Sequence, residues 1–247
     1  MPGYELIGKE ELNSLKEIFK KKDLFYNGKR VKKFENNFAK YLGVKYAVAV
    51  SSGTAAIKTA LIALGVKKGD EDITQSFPFI ATEEAIMDIG AKPEVVNIDE
   101  TLNMCPIELS KKITKKTKAI IPVHMLGVSV EVDKILKIAK KNRIPVIDDN
   151  CEALGAKWGN KKLGSHADMC TWSFDNGKTI TTGEGGMITT NNKKYYDLCK
   201  EYKDHGHQNN PKYPRGLDTH RIYGFNYRIT EIQAALGLSQ LKKLSSI

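Results

Sequence analysis

Apolar and polar positions change their rhythm twice along the chain. Residues 9–22 place Leu12, Leu15, Ile18 and Phe19 at helical spacing, and residues 31–42 repeat the pattern with Val31, Phe34, Phe38, Tyr41 and Leu42. A loop around Asn27 and Gly28 separates these two predicted helices. From Tyr46 onward, short apolar runs alternate with amphipathic stretches. Strands are predicted at 46–50, from Ile73, at 93–98, 118–124, 145–149, 169–174 and 186–190. Helices are predicted at 54–64, 82–89, 132–141, 195–202 and 230–244. Strands alternating with helices of this length imply crossover connections and a largely parallel sheet, an α/β fold. The change of rhythm divides the chain into an N-terminal helical segment, 1–45, and an α/β domain, 46–247.

Composition narrows the class. The 247 residues are 41% hydrophobic and 28% charged, with a mean hydropathy of −0.38, which fits a globular chain. No apolar run approaches the roughly 18 residues of a membrane span, and the first residues lack the apolar core of a secretory signal. Four widely spaced cysteines, Cys105, Cys151, Cys170 and Cys199, form no C-x-x-C pair. They argue against a disulfide framework or a zinc ribbon, and a reducing cytoplasm fits best. The net charge of +10 raises nucleic acid as a partner. The lysines argue against it: Lys20 to Lys22, Lys111 to Lys118 and Lys137 to Lys141 form short scattered groups without interleaved aromatics. An anionic small substrate or plain solubility accounts for the charge as well.

Three sites carry chemistry. Ser52-Gly53-Thr54 follows a strand and opens a helix, where free N–H groups and the helix dipole attract an anion. Capping of the helix is the simpler role for Ser and Thr there. Asp148 and Asp149 end a buried apolar strand, the place where open α/β sheets bind ligands. A carboxylate there can hold a metal, pair with a protonated ring nitrogen, or merely cap the next turn. Lys178 lies five residues after Ser173, between a strand and the glycines at 183, 185 and 186. Lysine amines form Schiff bases with carbonyl cofactors such as pyridoxal phosphate, whereas most surface lysines are only solvated. No P-loop and no G-x-G-x-x-G dinucleotide fingerprint is present.

Read jointly, SSGTAA, GAKPEVVNID, VIDDNCEALGA, SFDNGKTITTGEGGM and NYRITEIQAALG resemble the DegT/DnrJ/EryC1/StrS family of sugar aminotransferases. The resemblance runs from about Pro2 to the end. It implies the large domain of the aspartate-aminotransferase-like fold type I, with a mostly parallel central sheet, and pyridoxal 5'-phosphate as cofactor. By position, Lys178 would be the Schiff-base lysine and proton shuttle, and Asp149 the partner of the pyridine nitrogen. Gly53, Thr54 and Ser173 would bind the phosphate, and Phe79 would stack on the ring. Asn226 would reach the phosphate in a neighbouring subunit, which implies a homodimer with shared sites. Glu152 stands where many members carry Gln or His near the phenolic oxygen. A carboxylate beside a phenolate repels it unless one of them is protonated.

Within the family, FDNGKTITTGEGGM and KDHGH look like the 8-amino-3,8-dideoxy-octulosonate transaminases, which use glutamate as donor. The alternative acceptor is a 4-keto nucleotide sugar. Sugar dehydratases of this fold carry His in place of the lysine, so Lys178 speaks against that activity. A truncated regulatory paralogue is the non-enzymatic alternative. The resemblance also implies a small C-terminal domain that this chain lacks, so cofactor binding with poor sugar turnover is the expectation. Three further groups have simpler roles open to them. His205 and His207 lack a third metal ligand at suitable spacing. His124 is expected to be a structural hydrogen-bonding group. Arg215, Arg221 and Arg228 can clamp a carboxylate or simply be paired.

Overall fold

The computed structural model describes residues 2–21, 28–210, 212–214 and 217–244; Lys22, Asn27 and Arg215 lie outside the described residues. The elements run α1 (Lys9–Lys21), α2 (Lys29–Leu42), β1 (Tyr46–Val50), α3 (Gly53–Leu64), β2 (Glu71–Gln75), α4 (Ile80–Asp88), β3 (Lys92–Val96), α5 (Pro106–Lys112), β4 (Thr117–Ile120), α6 (Val132–Asn142), β5 (Ile147–Asp149), β6 (Lys157–Trp158), β7 (Lys161–Lys162), β8 (Met169–Ser173), β9 (Gly186–Thr190), α7 (Lys193–Tyr202) and α8 (Glu231–Lys243).

Two sheets, β3-β2-β4 and β1-β9-β8-β5, are joined by parallel bridges from Ile120 to Val146 and from Val123 to Asp149. The result is one continuous layer in the order β3-β2-β4-β5-β8-β9-β1. Within this layer all pairings are parallel except those of β9, which is antiparallel to both β8 and β1, and β6 and β7 form a separate antiparallel pair. The predicted strand over 118–124 ends early, at Ile120. Pro122 has no N–H to give, so only its carbonyl joins the sheet, accepting from the Asp149 amide at 2.9 Å.

Strand alternation covers both faces. On one side Val48, Val50, Ile147, Met169 and Ile188 pack with Ala56, Ala60 and Leu61 of α3 and Cys199 of α7. On the other, Ala47, Ala49, Trp172 and Met187 meet Phe34 and Phe38 of α2 and Ala234 of α8. Phe38 and Trp172 meet edge-on at 5.4 Å. Each such buried ring contributes roughly 1.5–3 kcal/mol relative to exposure. α5, absent from the periodicity, fills a third cluster through Leu109, with Ile135 of α6 and Val146.

α3 has well-marked ends. Ser52 caps it by accepting from the Ala55 amide at 3.1 Å. Gly65, at φ 83°, closes it in the left-handed conformation. No helix among the described residues is long and apolar enough to cross a membrane.

Candidate active site

The carboxyl ends of β1, β5 and β8 converge on a cavity of about 330 Å³. β1 delivers Ser52, Gly53 and Thr54 at the start of α3. β5 delivers Asp149, and β8 delivers Ser173 and the turn that carries Lys178. α4 adds Phe79, Ala81 and Thr82. Six of the residues singled out in the sequence, Gly53, Thr54, Phe79, Asp149, Ser173 and Lys178, therefore line one cavity. They come from segments up to 125 positions apart.

The α3 end suits an anion. The Ser52 hydroxyl occupies the Ala55 amide, while the Gly53 and Thr54 amides have no acceptor among the described residues. A Cβ on Gly53 would lie 2.9 Å from the Ser173 Cβ, and a Cβ on Gly186 would lie 2.2 Å from the Ser52 carbonyl oxygen. Both glycines let β8 and β9 press against the helix start, which brings the Ser173 hydroxyl beside it.

Asp149 is 2% exposed. Its Oδ2 accepts from the Thr82 hydroxyl at 2.8 Å and its Oδ1 from the Cys151 amide at 3.1 Å. Burial, reinforced by the Asp149 charge, holds the Cys151 thiol well above its usual range, so it is an unreactive wall of the cavity.

The Lys178 Nζ lies 3.4 Å from Glu152 Oε1, 3.8 Å from Asp175 Oδ2 and 5.6 Å from the centre of the Phe79 ring. Glu152 Oε2 accepts from the Leu126 amide at 3.2 Å. Leu126 adopts φ 53°, a left-handed conformation that a leucine rarely takes. The Lys178 carbonyl is fixed by the Gly3 amide at 2.7 Å.

Several lining groups were not singled out in the sequence: Thr82, Cys151, Asp175, Asn176 and Glu184. Asp175 had a legible signal, since Asp-Asn-Gly marks a turn, and its Oδ1 accepts from the Gly177 amide at 2.7 Å. Thr82 had none, because it is a helical threonine 67 residues from its partner.

Other expected residues lie outside the cavity. Asn226 is exposed and its backbone pairs with Asp204. His124 is buried; its Nδ1 accepts from the Val130 amide at 3.2 Å and its Nε2 faces Asp148 Oδ2 at 3.7 Å. Arg221 pairs with Glu201, and Arg228 with Asp204 at 2.7 Å. The expectation that the His205 and His207 pair has no third ligand at suitable spacing is corrected for His207. A hairpin pairs it with His220, and its Nδ1 meets Asp218 Oδ1 at 2.8 Å. The three side chains offer ligand atoms within 4.8 Å of one another, a grouping made by chain reversal that linear spacing does not show.

A model of the DegT/DnrJ/EryC1/StrS aminotransferase family matches residues 5–247. GDP-perosamine synthase of Escherichia coli O157:H7 is 44% identical over 217 residues, which are 87% of this chain and 58% of that protein. The Helicobacter pylori aminotransferase PseC, involved in the biosynthesis of pseudoaminic acid, superposes with a TM-score of 0.91. It is 35% identical, and the match covers 97% of this chain and 64% of that one. The E. coli GDP-4-keto-6-deoxy-D-mannose-3-dehydratase with bound hydrated PLP has a TM-score of 0.89 and 33% identity, covering 97% of this chain and 66% of that one. The chain thus spans about three-fifths of the length of the curated relatives it matches. Pyridoxal phosphate is the cofactor of this group, and the cavity fits it. Free helix amides and two hydroxyls suit the phosphate, a buried carboxylate suits the ring nitrogen, and an amine suits the aldehyde.

Proposed function

The chain belongs to the DegT/DnrJ/EryC1/StrS aminotransferase family, and we propose that it forms the cofactor-binding part of a sugar aminotransferase. The enzyme would move an amino group from glutamate to a keto- or aldehydo-sugar of surface-polysaccharide biosynthesis, in the cytoplasm. One observation carries this reading: Lys178, Asp149 and the open first turn of α3 line the same cavity.

When bound, pyridoxal phosphate supplies an aldehyde that captures amines and a ring that withdraws electrons from them. The protein's share is binding, orientation and proton movement. The Gly53 and Thr54 amides, the Thr54 hydroxyl and the Ser173 hydroxyl hold the phosphate, helped by the α3 dipole. Asp149 would pair with the pyridine nitrogen and hold its proton there. Phe79 would stack on the ring. Lys178 would be the amine that anchors the cofactor and the group that moves the proton taken from the donor's Cα. Glu152, oriented by the Leu126 amide, would receive the Lys178 ammonium. Asn226, exposed at a bridge with Asp204, would serve the phosphate of a second subunit in a homodimer.

The acceptor we favour is a nucleotide-linked 4-keto sugar, supported by the likeness to a GDP-perosamine synthase. An 8-oxo-3-deoxy-octulosonate is the second reading. It is supported by the FDNGK run, whose Asp175 and Asn176 line the cavity.

Visible absorption tests the reading. The cofactor-loaded protein should change colour on adding glutamate, and a competent keto-sugar should restore the first spectrum. A protein that binds the cofactor and shows no change with glutamate overturns the aminotransferase reading. Restoration by the octulosonate but not by a GDP-4-keto sugar selects the second acceptor.

A further inference from the structure

We propose that Thr82 is the positioning residue that keeps Asp149 a hydrogen-bonded carboxylate and the proton on the cofactor's pyridine nitrogen. The proposal rests on the reading of Asp149 as the partner of that nitrogen.

Thr82 is fully buried, and its hydroxyl donates to Asp149 Oδ2 at 2.8 Å. A threonine inside a helix ordinarily returns its hydroxyl to the carbonyl one turn back. Thr82 instead spends its proton on a side chain in a strand of the central sheet. The Cys151 amide occupies the other oxygen of Asp149. Each oxygen therefore accepts one fixed donor, and the carboxylate plane is set from two sides. The neighbouring Asp148 differs: its Oδ2 has no hydrogen-bond partner although it is just as buried. The two-donor arrangement is therefore specific to the acid that faces the cavity.

A donor aimed at the charged form of a carboxylate favours that form. A proton shared between Asp149 and a pyridine nitrogen then stays on the nitrogen, where the ring withdraws electrons best. The same helical turn does a second thing. The Thr82 amide donates to the Phe79 carbonyl at 3.0 Å, so the residue that covers the ring face and the residue that fixes the acid are held by one turn of α4. Ring stacking and nitrogen protonation are thereby set by one rigid unit.

The test loads wild type, Thr82→Ser, Thr82→Ala and Thr82→Val with ¹⁵N-labelled pyridoxal phosphate and reads the pyridine ¹⁵N shift and the cofactor Kd. Wild type and Thr82→Ser should show a protonated nitrogen. Thr82→Ala should move the signal toward the unprotonated position and weaken cofactor binding by roughly tenfold, the scale of one hydrogen bond to a charged group. Far-UV circular dichroism reports whether each variant folds; if Thr82→Val does not, the Ser/Ala pair still isolates the hydroxyl. Equal ¹⁵N shifts and Kd values for Ser and Ala overturn the role of Thr82. An unprotonated nitrogen in the wild type overturns the assignment of Asp149 itself, a separate outcome.

Discussion

Glu152 Oε1 stands 3.4 Å from the Lys178 Nζ, and its other oxygen is held by the Leu126 amide. The pair is placed to guide the lysine amine within the cavity. Glu152→Gln should therefore slow the glutamate-dependent colour change of the loaded protein by roughly tenfold, the scale of one charge-assisted hydrogen bond. Stopped-flow absorption measures it, and a rate equal to that of the wild type would show that Glu152 does not guide Lys178.

Lys178 should be the residue that borohydride fixes to the cofactor. Reduction of the loaded protein, digestion and mass spectrometry should place the added mass on the peptide containing Lys178. Lys178→Ala should bind the cofactor reversibly and take up no label. Label on any other lysine would move the catalytic assignment away from the Gly-rich turn.

Gly186→Ala should damage cofactor binding without touching the cofactor. The added methyl would lie 2.2 Å from the Ser52 carbonyl oxygen, so β9 and the start of α3 must part. The amides of Gly53 and Thr54 then lose their aim. We expect at least a tenfold rise in cofactor Kd by fluorescence titration, with Gly183→Ala as a control where nothing stands within 4 Å. The control tests a strained site too, since Gly183 has φ 83°; a larger Kd change there than at Gly186 would contradict the crowding argument.

Asp72 makes stability depend on pH in the opposite direction from a paired carboxylate. It is completely buried on β2, its side-chain oxygens lack hydrogen-bond partners, and burial pushes its pKa up to about 7. Between the unfolded value of 3.8 and about 7, the folded protein holds a proton that the unfolded chain has released. Stability from this group is therefore present below pH 4 and falls as the pH rises to 7, by up to about 4 kcal/mol for a shift of this size. Urea unfolding of wild type and Asp72→Asn from pH 4 to 8 isolates it. The variant should gain on wild type steadily through that window, and a constant difference would refute the buried-acid argument.

The sheet was legible where apolar runs end in polar chemistry. Val48 to Val50 before Ser52, and Val146 to Ile147 before Asp149, announce both a strand and a site, because a buried strand must stop where its side chains turn polar. Lys178 was legible for the same reason, from the glycines that follow it. α5 was not, since seven residues give too few turns for a period to register. The reversed direction of β9 was hidden because alternation looks the same in either sense. Thr82 and the His207–Asp218–His220 grouping were hidden by a different cause: each depends on tertiary packing or chain reversal rather than on local pattern.

α1, α2 and α8 are interlocked beneath the Lys178 turn. The Glu231 carboxylate accepts from the Arg30 and Val31 amides at the start of α2. Gln240 Nε2 donates to Glu11, and the Gln240 side-chain oxygen meets the Thr181 amide at 3.4 Å. During synthesis, then, Phe34, Phe38, Trp172 and Phe174 wait for α8 before their cluster can close. A ribosome-bound chain that stops short of residue 231 holds a half-covered sheet and an unbraced lysine turn. Cofactor capture thus has to wait for α8, and until then the nascent chain is exposed to aggregation and to chaperones.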